Sequence, residues 1–337
     1  MCVQNKNASG RIAWIDNFRG ICAFCVLLAH CGHCPILYWQ LYTPFFLTGF
    51  FFLSGYCYKI RAPKDAFVKI FKSLIVPYFF FAFVINLGRS NVLPILSGDF
   101  NPISFLLIDF ISGIKLWFIP CLIVVQIYFI ILTNIKFVRR NVKYIFPVIS
   151  IICMLAMFVI RTEQNISRFE YQPFPWYCDT AFFALGFFVL GYLAKINNWD
   201  RFLLTGRNAF MALLFYCLFV AFFHKVSDVE FHFITNYYSS LPFFLFVSLL
   251  GIYVMASVCN QFKSKYIQML GSNTLLLFAI NWHIFILLTK YCKFDNLLGI
   301  IPDYVWSLAV SAVQAAIILV ISVPINKYIP WVIGKTK

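Results

Sequence analysis

Residues 11–34 read RIAWIDNFRGICAFCVLLAHCGHC, and the interpretation of the whole chain turns on this stretch. Most of it is apolar enough to enter a bilayer, yet Asp16 and Arg19 lie near one end and His30 and His33 near the other. A helical residue advances about 100° and 1.5 Å, so the eleven steps from Arg19 to His30 come within roughly 20° of three full turns. The two side chains share a face and stand about 16 Å apart along the axis, with Asp16 one turn before Arg19 on nearly the same face. Charge within or beside a membrane span is costly and usually faces a bundle interior or a wet cavity. The pattern predicts a helix that walls a polar, catalytic cavity.

Composition names the solvent. The chain has 337 residues, of which 62% are hydrophobic and 12% charged, and its mean hydropathy is +0.84. A soluble globular chain carries about 25% charged residues, so half that fraction points to lipid. The length suits one polytopic unit, a single domain over 1–337. A net charge of +15 would suggest nucleic acid in a soluble protein; here its distribution over the loops carries the information, and no nucleic-acid partner is expected. The first ten residues are polar and no small-residue cleavage site follows the first apolar segment, which is expected to stay as an anchor.

A span needs about 20 mostly apolar residues. Ten segments meet that criterion, approximately 14–34, 42–60, 71–89, 114–134, 144–160, 179–196, 208–224, 238–259, 272–290 and 304–326. The fold expected is an all-α polytopic membrane protein with about ten transmembrane helices around a polar central cavity. The stretch 102–112 is too short to cross and reads as interfacial or re-entrant. Placing both termini in the cytoplasm puts 20 of the 27 basic residues inside with 3 of the 12 acids, and 7 bases outside with 9 acids. Every inner loop is then basic, as short cytoplasmic loops are. No internal repeat is visible, which counts against a repeat-built transporter.

Two local motifs read as structure. Cys31-Gly32-His33-Cys34 has dithiol spacing, but no βαβ setting surrounds it, and its ligands are too local for a tetrahedral metal site. No metal is expected. The sequon Asn165-Ile166-Ser167 is short enough to arise by chance.

Three places offer chemistry. Lys69 and Lys72 are spaced i, i+3 after the second apolar segment, a basic cluster suited to the phosphates of a nucleotide-like ligand or to lipid headgroups. His30 shares its face with Arg19. His283 lies in SNTLLLFAINWHIF, with Asn281 two residues before it and Ser272 opening the segment. Imidazole titrates near pH 6.5 when unperturbed, so it can take and return a proton at working pH.

These residues resemble a family. IDNFRGICAFCVLLAH followed by PFFLTGFFFLSGY is similar to the opening of the bacterial integral-membrane acyltransferases of family 3. The family's Arg-Gly and its histidine about eleven residues later correspond to Arg19, Gly20 and His30. Its second-helix motif corresponds to Phe51 through Tyr56, its basic pair ahead of Pro-Tyr to Lys69, Lys72, Pro77 and Tyr78, and its LWFxP segment to Leu116, Trp117, Phe118 and Pro120. Its late helix ending in histidine corresponds to the stretch from Ser272 to His283. Lysine at the basic pair departs from the commoner arginine and lacks its bidentate fork. The resemblance implies a protein of the bacterial inner membrane with no bound cofactor. It would transfer an acyl group, commonly acetyl, from cytoplasmic acyl-CoA to a hydroxyl of a glycan acceptor. His30 would act as base or acyl carrier, Arg19 and Asp16 beside it, and Lys69, Lys72, Tyr78, Trp117, Asn281 and His283 would bind substrate. The competing expectation is a transporter or flippase of a lipid-linked saccharide, using the same cavity without covalent chemistry.

Overall fold

The computed structural model describes residues 12–86, 111, 113, 116–163, 174–226 and 231–335. It is a helical bundle, and each of the ten apolar segments carries a helix. They are α1 (Ala13–Ala29), α2 (Ile36–Tyr56), α3 (Pro63–Ile70) continuing through a π-turn at Phe71–Ile75 into α4 (Val76–Asn86), and α5 (Phe118–Asn134). After a short basic helix α6 (Lys136–Arg140) come α7 (Val142–Glu163), α8 (Cys178–Ile196) and α9 (Arg207–Val226). The chain closes with α10 (Leu241–Cys259), α11 (Lys265–Ser272), α12 (Thr274–Ile286) and α13 (Asp303–Tyr328). Among the described residues, six helical stretches are long and apolar enough to cross a bilayer, and Phe118–Asn134 and Val142–Ala156 are shorter apolar helices. Apart from Ile111, the stretch 102–112 lies outside the described residues, as does the sequon.

Three departures from the expected boundaries have physical causes. The first helix stops at Ala29, because Gly32 adopts φ +73 and turns the chain, so the CGHC tetrad is a connector between α1 and α2. The second helix begins at Ile36, directly after Pro35, and keeps Pro44 inside; Thr48 Oγ1 donates to the Pro44 carbonyl at 2.6 Å. The third is a small antiparallel hairpin in an otherwise helical chain. Its strands β1 (Phe231–His232) and β2 (Tyr237–Tyr238) pair Phe231 with Tyr238 and His232 with Tyr237. Asn236 makes the turn with φ +51.

Helices α1, α2, α8, α10 and α12 form the centre of the bundle. Without water to drive apolar association inside a bilayer, close approach of backbones at small residues holds helices together. The α2–α8 contact works this way: a Cβ on Gly55 would run into the Phe188 carbonyl, and one on Gly191 into the Phe52 carbonyl. Aromatic rings fill the remaining space, with Phe129 packed on Phe146 at 5.4 Å and on Phe188 at 5.0 Å.

Candidate active site

One face of α1 is shared between two pockets. Ile12, Ile15, Asp16 and Arg19 line the first; Val26, Ala29 and His30 line the second. These positions follow the 3–4 spacing of a single helical stripe. Between them Cys22 and Ala23 are fully buried.

The first pocket is a basic chamber of about 500 Å³. Among the described residues, Arg19, Lys59, Lys195 and Lys335 line it with a single acid, Asp16, and with Tyr56, Tyr58, Ser272 and Thr274. Each cation is brought by a different element. Gly20 allows α11 to lie against α1, since a Cβ there would strike the Ile267 carbonyl, and Gly271 faces the Asp16 carbonyl in the same way. Asn17, fully buried, donates from Nδ2 to the carbonyls of Cys259 at 3.1 Å and Phe262 at 2.5 Å, satisfying the end of α10 and fixing the start of α1. Lys195 stands 5.1 Å from the centre of the Tyr56 ring, whose edge contact with Trp14 is 5.2 Å. Lys335 donates to Asn326 Oδ1 at 2.6 Å and to Asn273 Oδ1 at 3.1 Å, which ties the chain end to the break between α11 and α12.

The second pocket is an aromatic cavity of about 360 Å³. His30, His232 and His283 line it with Trp39, Trp117, Trp282 and Asn281. His30 caps the C-terminus of α1 and is exposed to this space. Its Nδ1 lies 2.7 Å from the Val26 carbonyl. A carbonyl can only accept, so Nδ1 carries the proton and Nε2 of the neutral ring keeps its lone pair. Thr43 adds a buried hydroxyl with no hydrogen-bond partner among the described residues. Trp117 packs on Tyr177 at 5.6 Å, and Trp39 faces the His232 ring at 5.8 Å.

The residues singled out from the sequence therefore separate. Asp16 and Arg19 share the basic chamber; His30, Trp117, Asn281 and His283 share the aromatic cavity. Lys69 lines neither, but its Nζ is 5.9 Å from the Tyr58 ring and within electrostatic reach of Arg61, Arg19 and Lys59. Lys72, in the π-turn, is exposed and lines neither pocket. Tyr78 is buried against Trp176 at 5.8 Å, away from both linings.

Several contributors escaped the sequence reading. Lys195 and Lys335 look like ordinary loop cations, and His232 sits on the hairpin. A polar stripe on α13 carried a readable signal: Ser307, Ser311, Gln314 and Ser322 recur at helical spacing on an apolar helix, and all are fully buried. Gln314 Nε2 donates to the Asn281 carbonyl at 3.2 Å, and Ser307 Oγ to the His33 carbonyl at 3.0 Å. Cys31 Sγ meets Ser311 Oγ at 3.1 Å. The CGHC connector is thereby stitched to α13, and no group of three or more metal-ligating side chains occurs among the described residues.

Residues 12–325 match a family model described as an acyltransferase domain. No curated protein and no solved structure matches the chain.

Proposed function

The chain belongs to the acyltransferase family whose domain it matches, and we propose that it moves a short acyl group, acetyl first of all, from cytoplasmic acyl-CoA to a hydroxyl of a cell-surface or exported polysaccharide. In this reading the ten helical segments cross a bacterial inner membrane, both termini are cytoplasmic, and the basic chamber opens inward. The gathering of Arg19, Lys59, Lys195 and Lys335 at one end of the bundle supports that orientation, because cytoplasmic ends carry the excess of Lys and Arg.

The phosphates of CoA sit against those four cations, with Lys69 on the flank; charge-assisted hydrogen bonds to phosphate are the stronger ones. The pantetheine arm runs along the α1 stripe, and the rise of about 16 Å from Arg19 to His30 brings the thioester to the imidazole. A sugar of the acceptor occupies the aromatic cavity, its apolar face on Trp39 or Trp117 and its hydroxyls on Thr43 and Asn281. His30 Nε2 takes the proton of the acceptor hydroxyl as its oxygen attacks the thioester carbonyl carbon. The new C–O bond forms, the C–S bond breaks, and the imidazolium returns the proton to the departing thiolate, leaving ester and free CoA. Transient acylation of Nε2 is the variant route, distinguished by ping-pong kinetics.

One observation carries the reading: an imidazole whose Nδ1 is held by the Val26 carbonyl, on the helix face that also reaches a chamber lined by four cations among the described residues. The test uses inside-out membrane vesicles given labelled acetyl-CoA and the producing cell's polysaccharide. Release of free CoA together with an acetyl mass increment on the glycan supports the assignment. Passage of a lipid-linked saccharide across the bilayer with neither product makes the chain a flippase.

A further inference from the structure

Among the described residues the two pockets share no lining residue, and on α12 a single turn parts them. On α1 the linings are Arg19 and Val26, on α2 Tyr56 and Leu47, and on α12 Thr274 and Phe278. Thr274 and Phe278 are a single turn apart, about 6 Å along the axis. At the cavity end of that turn, Phe278 belongs to a cluster of three rings. Phe118 stacks on Phe278 at 4.6 Å with an interplanar angle of 19°, and Phe50 closes the triangle at 5.5 Å from Phe118 and 5.4 Å from Phe278.

The three rings are not equally held. Phe118 and Phe278 both border the cavity of about 360 Å³, but Phe50 and Phe118 are buried, at 5% and 6% exposure, whereas Phe278 is half-buried. Phe278 is therefore the ring with space to turn into. Its withdrawal would leave a slot one ring thick against the face of Phe118, with Phe50 at its edge. Carbon atoms in contact stand about 3.5–4.0 Å apart, so such a slot passes one unbranched chain and stops a branched or aryl group.

We propose that Phe50, Phe118 and Phe278 form the filter of the donor path, with Phe278 as the moving ring, and that they restrict the donor to unbranched acyl-CoA. This rests on the acyltransferase reading above. Phe278 is a specificity-determining residue rather than a catalytic one: it neither donates nor accepts a proton, and it acts on which thioester reaches His30.

Two measurements test it. The first compares propionyl-CoA with isobutyryl-CoA as donors in inside-out vesicles, for the wild-type chain, Phe278→Ala and Phe278→Leu. The wild type is expected to prefer the unbranched donor at least tenfold, Phe278→Ala to bring the ratio within about threefold, and Phe278→Leu, which keeps apolar bulk, to fall between. An unchanged ratio in an active variant overturns the filter. The second measurement needs no acyl transfer. Thr43→Cys, on the cavity side, is exposed in sealed inside-out vesicles to an anionic, impermeant thiosulfonate, with the Thr43 chain as control for native cysteines. Labelling at least fivefold faster when Phe278→Ala is added supports the barrier; equal labelling with and without the ring overturns it. A wild-type chain that transfers no acyl group ends the acyltransferase reading and the donor filter with it, and the labelling then reports whether the ring separates the pockets for another solute.

Discussion

The two pockets along α1 are built by opposite means. Among the described residues, the basic chamber collects four cations from α1, the α2–α3 connection, the end of α8 and the segment after α13, and it contains one acid. Among the described residues, the aromatic cavity is lined by no lysine or arginine, and its polarity comes from three imidazoles, Asn281 and Thr43 among apolar rings. Excess positive charge attracts any polyanion with little geometric demand, whereas a ring-lined cavity discriminates by shape. The difference suggests that affinity resides at one end of the helix and selectivity and chemistry at the other, so substitutions at the two ends should fail in different ways.

The sharpest break in that comparison is His30→Ala. General-base catalysis contributes about a hundredfold to ten-thousandfold, so transfer should drop by about a thousandfold while the protein still inserts and binds acyl-CoA. His30→Gln should not rescue it. Retained transfer in His30→Ala, measured by ester formed per CoA released, would move the chemistry to another residue of the cavity and undo the division of labour.

A second break is structural. Gly20→Val places side-chain carbons against the Ile267 carbonyl, in a contact between backbones that cannot shift without parting α1 from α11. Overpacking costs about 1–3 kcal/mol, and the loss here should reach the upper end because the obstacle is main chain. The expected result is a lower thermal midpoint in detergent with loss of both acyl-CoA binding and transfer. A variant with normal stability would show that the chamber does not depend on this approach.

Kinetics sharpen the comparison further. Arg19→Gln and Lys195→Gln remove charge-assisted contacts, and each should raise the KM for acyl-CoA about tenfold with little change in the KM for acceptor. Trp39→Ala removes a stacking surface worth about 0.5–1.5 kcal/mol and should raise the acceptor KM several-fold instead. If both kinds of substitution moved the same constant, the two pockets would not bind different substrates.

How much of this was legible depends on where the signal lies. The α1 stripe could be read because charge on an apolar helix is rare and three turns close over eleven residues. The Phe118 and Phe278 rings of the filter could not, since they come from helices more than 150 positions apart and phenylalanine is everywhere in this chain. Lys195 and Lys335 were hidden by the rule from which the topology was expected: a basic loop gives no sign of which cation turns inward. Lys69 and Lys72 stood out by spacing, yet neither lines the chamber. His232 arrived on a hairpin for which an all-helical reading had no place. Helices were legible from period and length; convergence required the packing.

The smallest expected effect concerns the connector between α1 and α2. Cys31 is buried, and its thiol donates to the Leu27 carbonyl at 3.3 Å and meets Ser311 Oγ at 3.1 Å, so its role is to hold the turn after His30 against α13. Cys31→Ser can make the same hydrogen bonds with a slightly smaller atom and should retain transfer within about twofold. Cys31→Ala leaves Ser311 without that contact and should cost about 1 kcal/mol of stability, read as a modest drop in the detergent melting midpoint. A redox or metal role predicts the reverse order of consequences, with Cys31→Ser as damaging as Cys31→Ala and with activity sensitive to reductant or chelator. The serine variant therefore separates a thiol that packs from a thiol that reacts, and it asks whether the cavity end of α1 needs anything from the CGHC tetrad beyond its shape.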